Sequence, residues 1–282
     1  VSYSLTGANG DVIVFDDSNY VLNPSLLGLG IPPTSVRIDE SSRSGGVWRN
    51  TRRVVRNIDL PVTVLGNSAT DVETKLRRLS RLTQDTLGPT VLTVTRDSGD
   101  LTMGLHYTGG AELTYGGDLG GEQWARLLLS FQAPQPFWES ATEESFSVTS
   151  GNTGQGLLPQ LSKLRLSSSQ SLGVINVDNT SDVNVYPIYE VSGPITGLVV
   201  SNGIDDWGFN ITVDEGETFE VDTETGTVTS ISGENRYSAL NPAPKLFSFP
   251  PGETTITIEG TDTNLNTRIT CRYSLRYEVV HG

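Results

Sequence analysis

The chain has a single cysteine, Cys271, among 282 residues. That excludes an internal disulfide framework and any zinc or iron–sulfur site built on several thiolates. Two histidines, His106 and His281, are too few for a His-rich metal centre. No window approaches the roughly 18 apolar residues that a membrane-spanning helix needs. Positive charge is also scarce: 19 basic residues face 33 acidic ones, a formal charge of −14. Nucleic acid or an anionic membrane as the main partner needs a basic footprint, which this balance argues against. The opening Val1-Ser-Tyr-Ser lacks a basic stretch followed by an apolar one, so the expectation is a product made in the cytoplasm without a signal peptide.

What the chain does contain is glycine, proline, serine, threonine and valine, with 30 Gly and 14 Pro. That mixture favours many short strands joined by tight turns. The length exceeds one average domain. A segment dominated by Ser, Thr, Gly and Gln begins near residue 140. The predicted organisation is therefore an N-terminal β domain over 1–140 and a second over 141–282.

Along the chain, Val21 to Pro33 reads as an extended arm, because its prolines remove ladder donors. Val36 to Asp39 is a short strand and Ser41 to Gly46 a polar break. Ile58, Leu60, Val62 and Val64 alternate with polar or Pro positions, and Pro61 suggests an edge position or a bulge. One helix is predicted, about 69–87: Val72, Leu76, Leu79 and Thr83 share a face, with two capping patterns, Ser68/Asp71 and Thr70/Glu73, and a Gly88-Pro89 stop. Strands follow at Val91 to Arg96 and at Leu101 to Tyr107, the latter in a hairpin with Glu112 to Tyr115. The unbroken Leu127-Leu128-Leu129 predicts a strand buried on both faces. In the second half, strands recur at sandwich-like spacing, and the clearest is the last. Ile269, Cys271, Tyr273, Leu275 and Tyr277 alternate with Arg268, Thr270, Arg272, Ser274 and Arg276.

Chemistry-bearing patterns are weak. Cys271 sits on the apolar side of its strand, so it reads as a core thiol rather than a nucleophile. His106 has no serine elbow or carboxylate motif beside it. The carboxylates from Asp205 to Glu224 lack EF-hand spacing and read as a solvated face. Gly116–Gly121 lacks the Lys-Ser/Thr ending of a phosphate loop. Trp138, Trp207 and Tyr237 could stack on a sugar, although lone aromatics at turns more often plug a core. No catalytic, cofactor-binding or metal-ligating residue is assigned, and no cofactor is expected. One feature opposes the global charge: Arg37, Arg43, Arg49, Arg52, Arg53 and Arg56 lie within twenty residues that hold only Asp39 and Glu40 as acids. Arginine forms bidentate pairs with carboxylates and is enriched at interfaces, so this set is the candidate subunit interface of an acidic protein that associates with itself.

The ordered series of motifs resembles one family. A Gly/Pro-rich arm leads to Arg56-Asn-Ile58-Asp-Leu60-Pro-Val62 and then to the single helix. Leu129-Ser-Phe131-Gln-Ala133 runs into Pro136-Phe137-Trp138. Tyr186-Pro187-Ile188-Tyr189, Gly193-Pro194-Ile195, Val221-Asp222-Thr223, Gly233-Glu-Asn235, Phe249-Pro250-Pro251-Gly252 and Arg272-Tyr-Ser-Leu-Arg276-Tyr277 follow. In this the chain is similar to the distal tail proteins of long, non-contractile-tailed bacteriophages. The resemblance implies a mainly β fold: an N-terminal ring-forming β-sandwich or barrel-like domain with one helix, then a C-terminal galectin-like β-sandwich. It implies a non-enzymatic virion protein made in the host cytoplasm. It further implies a ring, usually of six copies, that joins the tail tube protein to a tail-tip or baseplate hub protein and in some phages to receptor-binding proteins. Two other readings stay open on the residues alone: a module binding a cell-surface glycan, and a hydrolase working through paired carboxylates or His106.

Overall fold

The computed structural model describes residues 1–15, 18–41, 44–84, 86, 88–112, 123–150 and 171–280. Arg43, His281, the Gly116–Gly121 loop, residues 113–115 of the expected strand Glu112 to Tyr115, and positions 85 and 87 of the expected helix lie outside these. The chain divides into two compact units. One comprises Val1–Thr142 with Tyr277–Gly282, the other Glu143–Arg276. The protein is mainly β, with one α-helix among the described residues.

In the first unit β1 (Ser2–Thr6) pairs with β2 (Val12–Phe15). Further on come β3 (Tyr20–Leu22), β4 (Thr34–Glu40), β5 (Gly46–Arg53), β6 (Arg56–Leu65), α1 (Ala69–Leu82), β7 (Thr90–Thr95), β8 (Leu101–Gly109) and β9 (Trp124–Ala133). All pairings are antiparallel. β2-β1-β7-β8 form one run and β3-β6-β9-β8 another, with β8 shared between them. β8 passes from the first run to the second after Leu105, and its pairing with β9 then shifts register between Tyr107 and Gly109. Between the runs lie Leu5, Ile13, Ile58, Leu60, Val62, Leu92, Val94, Met103, Leu105, Leu129, Phe131 and Trp138.

Three expectations change here. β6 is not an edge strand, because it pairs with β3 on one side and β9 on the other. The proline is tolerated because a residue's N–H and C=O face the same antiparallel neighbour. Pro61 O accepts from Asn23 N at 2.8 Å, so the missing donor faces β3, just past the last rung, Leu22–Val62. The leucine run is not buried on both faces. Leu127 and Leu129 point inward and Leu128 is exposed, since β9 alternates along its whole length. The helix ends at Leu82 rather than near 87. Thr83 closes it through its N–H to Leu79 O at 3.1 Å, and the Thr90 hydroxyl donates to Leu82 O at 3.3 Å. These bonds satisfy carbonyls that a further turn would have used. At the other end Ser68 is the cap: its hydroxyl accepts from Asp71 N at 3.3 Å, and the Asp71 carboxylate accepts from Asn67 N at 2.9 Å. Val72, Leu79 and Leu82 form the buried stripe.

β10 (Trp138–Thr149) begins in the first unit and ends in the second. The second unit adds β11 (Ser171–Asn179), β12 (Ile188–Ser192), β13 (Ile195–Ser201), β14 (Asp206–Gly208), β15 (Thr212–Val213), β16 (Thr218–Asp222), β17 (Thr227–Ser230), β18 (Gly252–Thr261) and β19 (Arg268–Tyr277). It is a two-sheet sandwich, with β17-β16-β12-β19 in one sheet and β11-β18-β13-β14 in the other. Tyr189, Val191, Phe219, Val221, Ile269 and Cys271 from the first sheet meet Leu198, Val200, Trp207, Ile256 and Ile258 from the second. An edge-to-face chain of rings runs through this core, Tyr189–Trp207 at 5.0 Å, Trp207–Phe209 at 6.0 Å and Phe209–Phe219 at 5.6 Å.

Candidate functional site

The patterns considered for catalysis or sugar binding do not assemble. Cys271 is buried, and its burial pushes the thiol pKa far up, the opposite of an activated nucleophile. His106 is exposed on β8. Trp138 and Trp207 are wholly buried, so of the three aromatics weighed for stacking only Tyr237 is exposed. The carboxylates from 205 to 224 take separate partners. Asp205 pairs with Lys245 at 2.9 Å and Glu220 with Arg272 at 2.6 Å. Glu224 takes two bonds from Arg276, and Asp222 accepts from Glu224 N and Thr225 N in a turn. No group of three or more His, Cys, Asp or Glu side chains placed to hold a metal occurs among the described residues.

The arginine-rich segment is where the structure departs from an ordinary globular surface. β4 and β5 pair only with each other, and every residue of β5 is exposed. Thr34 faces Arg53, Ser35 faces Arg52, Val36 faces Thr51 and Arg37 faces Asn50. Then the register shifts, so that Ile38 faces Trp48 and Asp39 faces Val47. The extra residue is Arg49, the mark of a bulge. Alternation then sorts the side chains. One face carries Val36, Ile38, Trp48 and Thr51, with the Trp48 indole N–H donating to the Thr51 hydroxyl at 2.8 Å. The other carries Arg37, Asp39, Asn50 and Arg52, joined by Arg49, whose guanidinium meets Asp39 at 2.6 Å. Gly46 is required beside the apolar face, because a Cβ there would lie 2.6 Å from an Ile38 methyl.

Val36, Ile38 and Trp48 are 53%, 57% and 62% exposed, on a two-stranded sheet that no other strand of the described residues extends. Soluble proteins seldom leave a contiguous apolar face like this without a partner for it. The exposed pairs of Asp39 with Arg37 and Arg49 contribute little to the hairpin's own stability.

The five described arginines of this set do not share one surface. Arg37, Arg49 and Arg52 are exposed on the polar face. Arg53 sits at the hairpin base on the apolar side, bonded to Thr34 and Glu278. Arg56 is 1% exposed, a correction to its place in an exposed set. It donates to Gly28 O at 3.1 Å and to Glu278 O at 2.7 Å. Burial lowers its pKa to about 10, opposed by the negative charge of Glu278. Arg43 lies outside the described residues. The apolar face of the hairpin escaped the sequence reading. Its signal, Val36 and Ile38 two apart in β4, is short and lies beside a bulge that breaks the alternation of β5. Glu278 had no local signal, since its partner lies 225 residues away.

No protein-family model and no curated protein matches the sequence. Among solved structures, the SPP1 Dit protein (gp 19.1), described as a paradigm of the hub adsorption apparatus in phages infecting Gram-positive bacteria, superposes with a TM-score of 0.68. The match has 13% identity and covers 97% of this chain and 98% of that one. Chains from two structures of the phage P2 baseplate in its activated conformation, one with Ca and one with Sr, give TM-scores of 0.56 and 0.55. Each is 10% identical and covers 99% of both chains. The chain has the fold of Dit-like phage tail proteins over both of its units.

Proposed function

We propose that the protein is a structural subunit of a phage tail tip: a distal tail protein of a long, non-contractile-tailed bacteriophage, carried in the virion and without catalytic activity. The observation that carries this is the fold shared with a phage hub protein across both units rather than one. Residues 1–140, rejoined by 277–282, form the ring-forming domain, and the rest of 141–282 a galectin-like sandwich. The ring, of six copies, joins the tail tube protein to a tail-tip or baseplate hub protein, with receptor-binding proteins as further partners. A ring requires a contact between two different surfaces of the same chain that closes on itself. The β4–β5 hairpin is suited to supply one of them. Its apolar face of Val36, Ile38 and Trp48 would be covered by the neighbouring copy, and Arg37, Arg49 and Arg52 would meet that copy's carboxylates.

Light scattering on a size-exclusion column, with negative-stain images of the peak, tests the reading. Annular particles near 180 kDa, six copies of the 30.4 kDa chain, are expected. A single 30.4 kDa species that also fails to form rings on purified tail tubes would overturn it.

A further inference from the structure

A lone two-stranded hairpin is marginally stable in water, and among the described residues β4–β5 has no sheet neighbour to set its direction. Whatever orients it must act at its base. Three contacts close that base. Val54 N donates to Pro33 O at 3.0 Å and the Arg53 guanidinium to the Thr34 hydroxyl at 2.5 Å, both within the hairpin's own ends. The third leaves the hairpin: Arg53 Nε and Nη2 both donate to the same carboxylate oxygen of Glu278, Nε at 2.8 Å. Glu278 belongs to Tyr277–Gly282, the stretch that rejoins the first unit after the second.

That stretch is itself tied down. The backbone carbonyl of Glu278 accepts from buried Arg56, whose other terminal nitrogen reaches Gly28 O. Val280 N donates to Leu29 O at 3.4 Å, and Tyr277, Val280 and Leu29 pack on the core of the first unit. Glu278 thus stands between a fixed part and a projecting one. Its backbone is anchored by Arg56 in β6, and its side chain holds Arg53 at the last rung of the hairpin. The pair is partly shielded, with side chains 34% and 23% exposed, and doubly bonded, unlike the open pairs along the hairpin.

We propose that the Glu278 carboxylate is a latch that fixes the base of the β4–β5 hairpin, a positioning residue for the surface the hairpin presents. Its consequence for ring assembly rests on the proposed function, whereas the latch itself does not.

Glu278→Gln separates the two roles of the residue, because it removes the carboxylate charge and keeps the backbone carbonyl that Arg56 uses. Hydrogen exchange on the full chain at low protein concentration reads the latch directly. The amide of Val54 and the β4–β5 amides nearest the base should exchange about tenfold faster in E278Q, the scale of one charged hydrogen bond. Amides of β6 and of the second unit should be unchanged. The exchanged pair Arg53→Glu with Glu278→Arg should return the hairpin to its original rate, which a merely structural loss at 278 would not allow. Unchanged exchange in E278Q, or loosening that spreads through β6 and is not reversed by the swap, overturns the latch. Light scattering on the same proteins reads the consequence. If wild type forms rings, E278Q should need about tenfold more protein to do so, and the swap should recover. If wild type forms none with or without tail tubes, the ring reading fails and the exchange data alone decide the latch.

Discussion

Cys271 and Tyr189 face each other across β19 and β12 in the core of the second unit. Burial raises the pKa of both, so the folded state keeps protons that the unfolded chain gives up. Their contribution is complete below the unfolded thiol pKa of about 8.5 and is lost as pH rises beyond it. Urea midpoints measured from pH 7 to 10.5 should therefore fall above about pH 9, and Cys271→Ala should flatten that fall. In the native protein the thiol should not react with Ellman's reagent; reaction before unfolding would contradict its burial. Arg56 is the second decisive residue. Truncating it to Ala removes a buried side chain and the donor to Gly28 O and Glu278 O. A loss of about 2–4 kcal/mol in urea unfolding is expected from the lost packing together with the lost charged hydrogen bonds.

At the scale of elements, α1 and the hairpin behave oppositely. The helix has a cap, a buried stripe and charged tethers: Arg78 grips Asp11 through two nitrogens, at 2.6 and 2.9 Å, and Lys75 reaches Asp71 at 3.0 Å. The Arg78 bond lowers the pKa of Asp11, while the Asn67 amide and then Lys75 lower that of Asp71. Depressed carboxylates stabilise the fold above their unfolded pKa near 4, and that help disappears as pH falls below it. Acid unfolding should thus begin below about pH 4 and be less steep in Asp11→Asn. Ser68→Ala should cost about 1 kcal/mol in the same assay. The hairpin has no comparable packing, so changes to its apolar face should leave monomer stability nearly constant. Ile38→Asp with Trp48→Ala should instead abolish rings, since covering each of these side chains is worth about 1.5–3 kcal/mol. Arg37→Glu with Arg52→Glu should weaken them less. Ring formation that survives both double variants would remove the hairpin from the interface.

The whole molecule distributes its charge unevenly. The first unit holds 12 basic and 16 acidic residues, the second 7 and 17, so most of the −14 belongs to the sandwich. The basic hairpin is thus the exception within the more nearly neutral unit. A contact between that hairpin and acidic copies is expected to weaken with salt, because screening at ~0.15 M acts beyond about 8 Å. The apolar part of the same contact should not. Ring stability measured from 50 to 500 mM NaCl should fall to a plateau rather than to zero. Continued loss without a plateau would assign the contact to charge alone.

Much of this architecture was legible in the residues. Period-two alternation marked β6 and β19, and the stripe from Val72 to Leu79 marked the one helix, because burial on a single face writes itself into local spacing. The ordered series of turn and strand motifs was enough to point to the fold the comparisons display. Local signals misled where a partner lay far away. The helix end depended on Thr90, the place of Pro61 on β3, and the exposure of Leu128 on what covers the outer face of β9. The arginine cluster was visible as a charge anomaly, but its division was not. Whether an arginine points to solvent, into the core like Arg56, or to a carboxylate 225 residues away like Arg53 is set by which strands come together. The sequence determined many of the strands, β6 and β19 among them, and the place of the helix among the described residues. Only the tertiary structure decided which faces stay uncovered, because exposure belongs to the packing of distant segments and not to any residue's own chemistry.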